Sequence, residues 1–179
     1  MPDQRLVFRH VIEALFVHGL ADRMTPDFQA RLAAKGLDLR KVLPGYDFEV
    51  WEAAILEAVS LFPELSKADA LVELGRRLAQ RSIDASPVAA TLMPLLRVLG
   101  TAKALKRSLK ANPGENYNQT TFDNETSTSL EVTMSHVGVV PEFVKGTQIT
   151  LLKALGAKGG RCTIVTRAPP AATFLLEWD

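Results

Sequence analysis

Val140-Pro141-Glu142-Phe143-Val144-Lys145-Gly146-Thr147-Gln148-Ile149-Thr150-Leu151-Leu152-Lys153-Ala154-Leu155 is the stretch whose reading decides the fold. Pro141 suits a first helical position, where a missing N–H is no loss, and Gly156 suits the position just past the last turn. The spacing predicts a helix between those marks. Phe143, Thr147, Thr150, Leu151, Ala154 and Leu155 fall on one side of it, and Gly146 lets a neighbour pack closely. That face needs a partner, and the chain offers a hairpin before the helix and another after it. Tyr117 to Asp123 and Thr128 to Val137 are rich in threonine, valine and aromatic residues, with Asn124 as the turn. Arg161 to Arg167 and Ala172 to Trp178 flank Ala168-Pro169-Pro170. Leu130, Val132 and Met134 alternate with polar residues, and Phe174, Leu176 and Trp178 share a face, so the sheet is covered on one side. The expectation is one helix laid across a four-stranded antiparallel sheet, with Gly146 toward the sheet.

Upstream of Ala111 the pattern is helical. Phe8, Val11, Ile12, Leu15 and Phe16 recur at helical spacing up to Gly19, after an extended piece at Leu6 to Phe8. Thr25-Pro26-Asp27 opens a second helix that Gly36 closes, and Asp47 is read as the cap of a third carrying Val50, Trp51, Ile55, Val59 and Phe62. Ser66 with Asp69 resembles a capping box for a helix with Leu71, Leu74 and Leu78 inward, and Gly75 on that stripe marks a close helix crossing. Ser86-Pro87 starts a helix with Leu92, Leu95, Leu96 and Leu99 as its stripe, which Pro94 is expected to kink or split. Thr101 opens a last helix with Leu105 and Leu109. From Ala111 to Asn116 the composition turns to asparagine, proline and glycine, the boundary between helices and strands.

A chain of 179 residues is long enough for one domain with a full core and short for two. We expect an α+β fold, an N-terminal helical bundle (1–111) packed with a ββαββ sheet part (116–179) in a single domain, 1–179. Lys and Arg total 21 against 20 Asp and Glu, so no global field recruits nucleic acid or an anionic membrane. Cys162 is the single cysteine and excludes an internal disulfide; a reducing, cytoplasmic setting fits. No apolar run reaches the roughly 20 residues of a membrane span.

The residues Gly36-Leu37-Asp38-Leu39, Leu43-Pro44-Gly45-Tyr46, Val50-Trp51, Leu74-Gly75-Arg76-Arg77, Leu99-Gly100, Asn116-Tyr117, Gly146, Leu155-Gly156-Ala157-Lys158 and Trp178 resemble a family of proteins of unknown function found in many paralogous copies in myxobacteria. That resemblance runs over nearly the whole chain and implies no catalytic residues. In element order the chain also resembles 4-vinyl-reductase domains, haem nitric-oxide-binding domains and vesicle-tethering subunits of TRAPP type. This looser likeness implies a small molecule, haem or acyl chain enclosed between helices and sheet, or helices used to pair with another subunit.

Individual residues point to little chemistry. His10 and His18 share a helix but stand eight residues apart, about 12 Å of rise, too far to ligate one metal. The Tyr-x-Ser-x-Arg motif that marks the haem nitric-oxide-binding family is absent, so haem ligation would have to come from His10, His18 or His136 without it. Cys162 reads as a small buried hydrophobe. No metal site, cofactor or catalytic residue is expected. Tyr46, Trp51, Leu92, Leu96 and Trp178 are the candidates to line an apolar pocket between helices and sheet. Arg76 and Arg77 on one helix, and Lys103 and Arg107 on another, are candidates for an anionic ligand or acidic partner if their faces converge. The expected function is a non-enzymatic regulatory or adaptor domain for a small apolar ligand. The alternatives are a protein interaction module without ligand, self-associating as a homodimer, and third an enzyme.

Overall fold

The computed structural model describes residues 5–110, 115 and 118–179, without the side chains of residues 88–90. The chain begins with β1 (Leu6–Phe8), which runs into α1 (Arg9–Ile12) and a π-helical stretch over Glu13–Gly19. β1 pairs antiparallel with β2 (Gly45–Asp47), a strand that the sequence does not announce because a glycine and an aspartate carry no strand pattern. α2 (Pro26–Ala34) opens as its sequence predicts: the Thr25 hydroxyl accepts from the Phe28 N–H at 3.2 Å. α3 (Phe48–Ala58) follows β2 directly, and Asp47 stands at its N-cap position without the side-chain cap bond read from the sequence. At α4 (Lys67–Asp84) the Ser66 hydroxyl accepts from the Asp69 N–H at 3.1 Å and donates to the Asp69 carboxylate, so the box is closed between two side chains.

α5 (Pro87–Val98) runs through Pro94 without splitting. Its expected stripe is also corrected. Leu96 is buried, but Leu92, Leu95 and Leu99 are exposed, so among the described residues that side of the helix is left largely uncovered. α6 (Thr101–Lys110) then buries Ala104 and Leu105. The boundary read at Ala111 to Asn116, together with Tyr117, lies outside the described residues except for Glu115, which forms an antiparallel bridge with Val7 of β1.

The sheet has four antiparallel strands in the order β3-β4-β6-β5, formed by β3 (Thr120–Asp123), β4 (Ser129–Met134), β5 (Arg161–Ala168) and β6 (Ala171–Glu177). Leu130 pairs with Leu176 and Val132 with Phe174, and all four are fully buried, so the alternation read from the sequence is the alternation of the sheet. Between the hairpins runs α7 (Pro141–Ala154), and Gly156 beyond it takes φ +84°, a conformation open to glycine.

Two hydrophobic cores result. One gathers Phe16, Phe28, Trp51, Ile55 and Leu74 from the N-terminal helices. The other gathers Leu130, Val132, Phe174 and Leu176 of the sheet with Leu105 of α6 and Leu152 of α7. α7 serves both, with Phe143 in the first and Leu152 in the second. Here the structure corrects the reading of Gly146. A Cβ at Gly146 would collide with the Val72 carbonyl of α4, and a Cβ at Gly75 would lie 2.9 Å from the carbonyl carbon of Phe143 and strike its oxygen. The two glycines let α4 and α7 meet backbone to backbone, and Leu152 faces the sheet instead. A glycine in a helical stripe signals close approach without naming the neighbour, and both here answer each other.

Candidate functional site: a cavity between the two cores

Beyond the glycine contact, α4 and α7 border a cavity of about 320 Å³. On α4 its wall is Leu78, Ala79, Ser82 and Ile83, one face of the last turns; on α7 it is Phe143, Val144, Thr147, Gln148 and Leu151, again one face. β1 and α1 contribute Val7 and Val11, and α3 contributes Phe48 and Trp51. The sheet side adds Met134, His136 and Val137, with Met93 of α5, Ser108 and Leu109 of α6, Glu115 and Asn118 completing the wall. Ser82 is exposed, so the space reaches solvent beside the end of α4.

Apolar side chains dominate, and the polar ones differ in how they are satisfied. The Asn118 side chain is bonded at both ends: its amide donates to the His136 carbonyl at 2.8 Å and its oxygen accepts from the His136 N–H at 3.0 Å. Thr147 donates to the Val144 carbonyl at 2.7 Å. Gln148 is different. It is 1% exposed, its amide N–H reaches only the Met134 sulfur at 3.6 Å, and its carbonyl oxygen has no partner. The Ser108 hydroxyl, also at the wall, is buried without a partner too. Such groups cost free energy unless something bonds them.

Of the five residues read as pocket candidates, Trp51 alone lines the cavity, edge-on to Phe16 and to Phe143 at ring separations of 6.0 and 5.8 Å, and His136, named for haem ligation, lines it as well. Tyr46 is buried and its hydroxyl accepts from the Leu43 N–H at 2.9 Å, closing its own loop. Leu96 and Trp178 belong to the sheet core, where the indole N–H donates to the Ser127 carbonyl at 3.1 Å, and Leu92 faces outward. Gln148 was legible only as an anomaly: a glutamine four residues from Val144 and from Leu152, on the apolar side of a helix.

The four cationic candidates lie away from the cavity wall. Arg77 turns toward the end of the first helix, donating to the Gly19 carbonyl at 3.0 Å and pairing with Asp22 at 2.6 Å and Glu73 at 3.0 Å. Arg76, Lys103 and Arg107 are exposed. Cys162 is buried in the sheet core, and that burial pushes its thiol up to about 12, against a smaller opposing pull from Lys145. Among the described residues no three of His, Cys, Asp and Glu cluster as metal ligands, and no helix is long and apolar enough to cross a membrane.

With the cavity and its setting described, the fold can be compared with known ones. It is similar to that of H-NOX proteins. An H-NOX protein from S. oneidensis in the Fe(II)NO ligation state superposes with a TM-score of 0.65 at 9% identity, covering 96% of this chain and 99% of that one. An oxygen-binding H-NOX domain related to soluble guanylate cyclases gives 0.63 at 13% identity over 96% and 95%. The Fe(II) unliganded H-NOX protein from K. algicida gives 0.60 at 13% over 94% of each chain. At such identities the likeness is one of fold. The chain itself belongs to the family described as protein of unknown function DUF2378, whose model matches residues 5–179. No curated protein matches it.

The H-NOX likeness raises haem, and the wall does not fit it. One imidazole, that of His136, reaches the wall and could supply an axial nitrogen. The two carboxylates of a haem need cationic or dense hydrogen-bond donors, yet the described wall holds no arginine or lysine and does hold Glu115. Lys110 borders a separate neighbouring cleft of about 140 Å³.

Proposed function

We propose that this chain is a non-enzymatic regulatory or adaptor domain that holds a small, largely apolar ligand in the cavity between its two cores. The observation that carries the reading is the cavity itself, at the lower end of the size range of small-molecule sites and lined mostly by aromatic and aliphatic chains. Its position between helices and sheet supports it further, since structures of similar fold include an oxygen complex and an Fe(II)NO state. The reading carries with it a single domain in a cytoplasmic setting.

The test is titration with N-phenyl-naphthylamine, a neutral apolar dye whose emission rises out of water. One saturable site per chain is expected, and it should vanish in Ala79→Leu, which fills the cavity, while that variant keeps its circular dichroism. Absence of saturable binding, or binding indifferent to Ala79→Leu, would sink the reading. Native mass spectrometry of the purified protein adds the mass of any retained ligand.

A second observation favours the interaction module. Leu92, Leu95 and Val98 of α5 and Leu99 beyond it are exposed, Val98 at 85%, a contiguous apolar stripe of the kind that marks protein contacts. On this reading the chain self-associates as a homodimer through α5. Light scattering should then give a dimer that Val98→Glu dissociates; a monomer across the concentration range would remove it.

A further inference from the structure

The wall of the cavity says more about its occupant than its volume does. Gln148, at the wall, carries a buried acceptor without a partner, its carbonyl oxygen, in a side chain 99% withdrawn from solvent, and the one bond the amide makes is to sulfur, a weak acceptor. Ser108 presents a second unbonded group, a hydroxyl able to donate or accept. Around them the cavity is mostly apolar, so water placed against Gln148 would find few of the two to four partners that hold a buried water. Charge points the same way: no lysine or arginine lines the described wall, and Glu115 does. A carboxylate or phosphate would meet no lysine or arginine on the described wall, and would lose its hydration at a steep cost.

Resting on the ligand-binding reading above, we infer that the ligand is an uncharged amphiphile, an alcohol or amide of medium chain length, whose O–H or N–H donates to the Gln148 carbonyl oxygen while its hydrocarbon lies along Val7, Trp51, Leu78 and Phe143. Ser108 is the second polar point of the site. Sites with a buried hydrogen-bonding group reject analogues that cannot pair with it far better than apolar sites reject a missing methylene.

The experiment is calorimetric titration of the intact chain with n-octanol, octanamide and octanoate at pH 7.5, on wild type and on Gln148→Leu, with the naphthylamine dye as a second probe. Octanol and octanamide are expected to bind at least about tenfold more tightly than octanoate, and Gln148→Leu to weaken them by roughly tenfold while the melting temperature stays the same or rises. Octanoate binding as tightly as octanol, or affinities unchanged in Gln148→Leu, overturns the inference and leaves the cavity a ligand site of other polarity. Dye binding with silence from all three amphiphiles also overturns it. Silence from the dye as well removes the ligand-binding reading with it. Should Gln148→Leu fail to fold, Gln148→Met, which keeps length and removes the oxygen, is read in its place.

Discussion

Two parts of the same helix pair behave in opposite ways. Where Gly75 and Gly146 meet, α4 and α7 approach so closely that a single added carbon would strike the carbonyl oxygen opposite. On the neighbouring faces, Leu78 and Ser82 of α4 and Val144 and Gln148 of α7 border an open space that contains unbonded polar atoms. The contrast teaches how one pair of helices can be packed backbone to backbone at one level and leave a cavity at the next. The glycines set the spacing, and the site is what larger neighbouring side chains leave unfilled at that spacing.

Breaking the joint should have the largest effect. Gly75→Leu and Gly146→Leu each force the helices apart, at roughly 1–3 kcal/mol or more. For a chain of this length each kcal/mol lowers the melting temperature by about 2–4 °C, and failure to fold is within the expected range. Thermal denaturation beside Lys145→Leu, on the same helix but off the contact, is the measurement. If the glycine variants melt with the lysine variant, the crossing is looser than described.

The sheet core offers a sharper measure of dryness through Cys162. Its thiol titrates near 12 in the folded chain against about 8.5 in an unfolded one, because burial disfavours the thiolate. Between those values the folded chain keeps a proton that the unfolded chain has released. Stability should therefore fall as pH rises through that window, by at most about 1.4 kcal/mol per unit from this group. Urea unfolding from pH 8 to 10 on wild type and Cys162→Ala isolates it, and parallel pH profiles for the two would show that the thiol is hydrated. Below pH 8 the native thiol should resist alkylation.

At the cavity the expected sign reverses. Ser108→Ala removes a buried hydroxyl with no partner, so the ligand-free protein should melt at the same temperature or gain up to about 1 kcal/mol. A lowered melting temperature would mean that the hydroxyl is bonded in solution. Scanning calorimetry of ligand-stripped protein reads the difference.

The smallest effect lies at the entrance of α7, where Glu142 pairs with Arg167 at 2.5 Å. Burial alone would raise the Glu142 carboxyl, but the bonds from Arg167 and its own backbone hold it below its ordinary value. A depressed carboxylate stabilises above its unfolded value and loses that contribution as pH falls through the folded one. Glu142→Gln should cost about 0.2–1 kcal/mol at neutral pH, less in high salt, and should flatten the acid limb of the stability curve. An unchanged acid limb would assign that limb to other carboxylates.

Local rules decided much of this protein before any tertiary contact was known. Thr25-Pro26 and Ser66 start helices because side-chain oxygens meet free N–H groups, and Gly36 and Gly156 end them because their backbones take positive φ. Leu130, Val132 and Met134 bury one sheet face because strand side chains alternate. These are properties of neighbouring residues, so sequence spacing carries them. The tertiary structure decided what each face meets. Gly146 promised a close neighbour, and only the placement of α4 made that neighbour Gly75's helix and not the sheet. Leu92, Leu95 and Leu99 have the pattern of a buried stripe, yet they stay exposed in the fold. Within the site, Trp51 was legible as a large aromatic at an element junction, whereas Gln148 and Ser108 are functional candidates only because their partners are missing. Periodicity reports that a face wants burial. What buries it, and what is left unfilled, depends on residues far apart in the chain that meet only when the two cores are assembled.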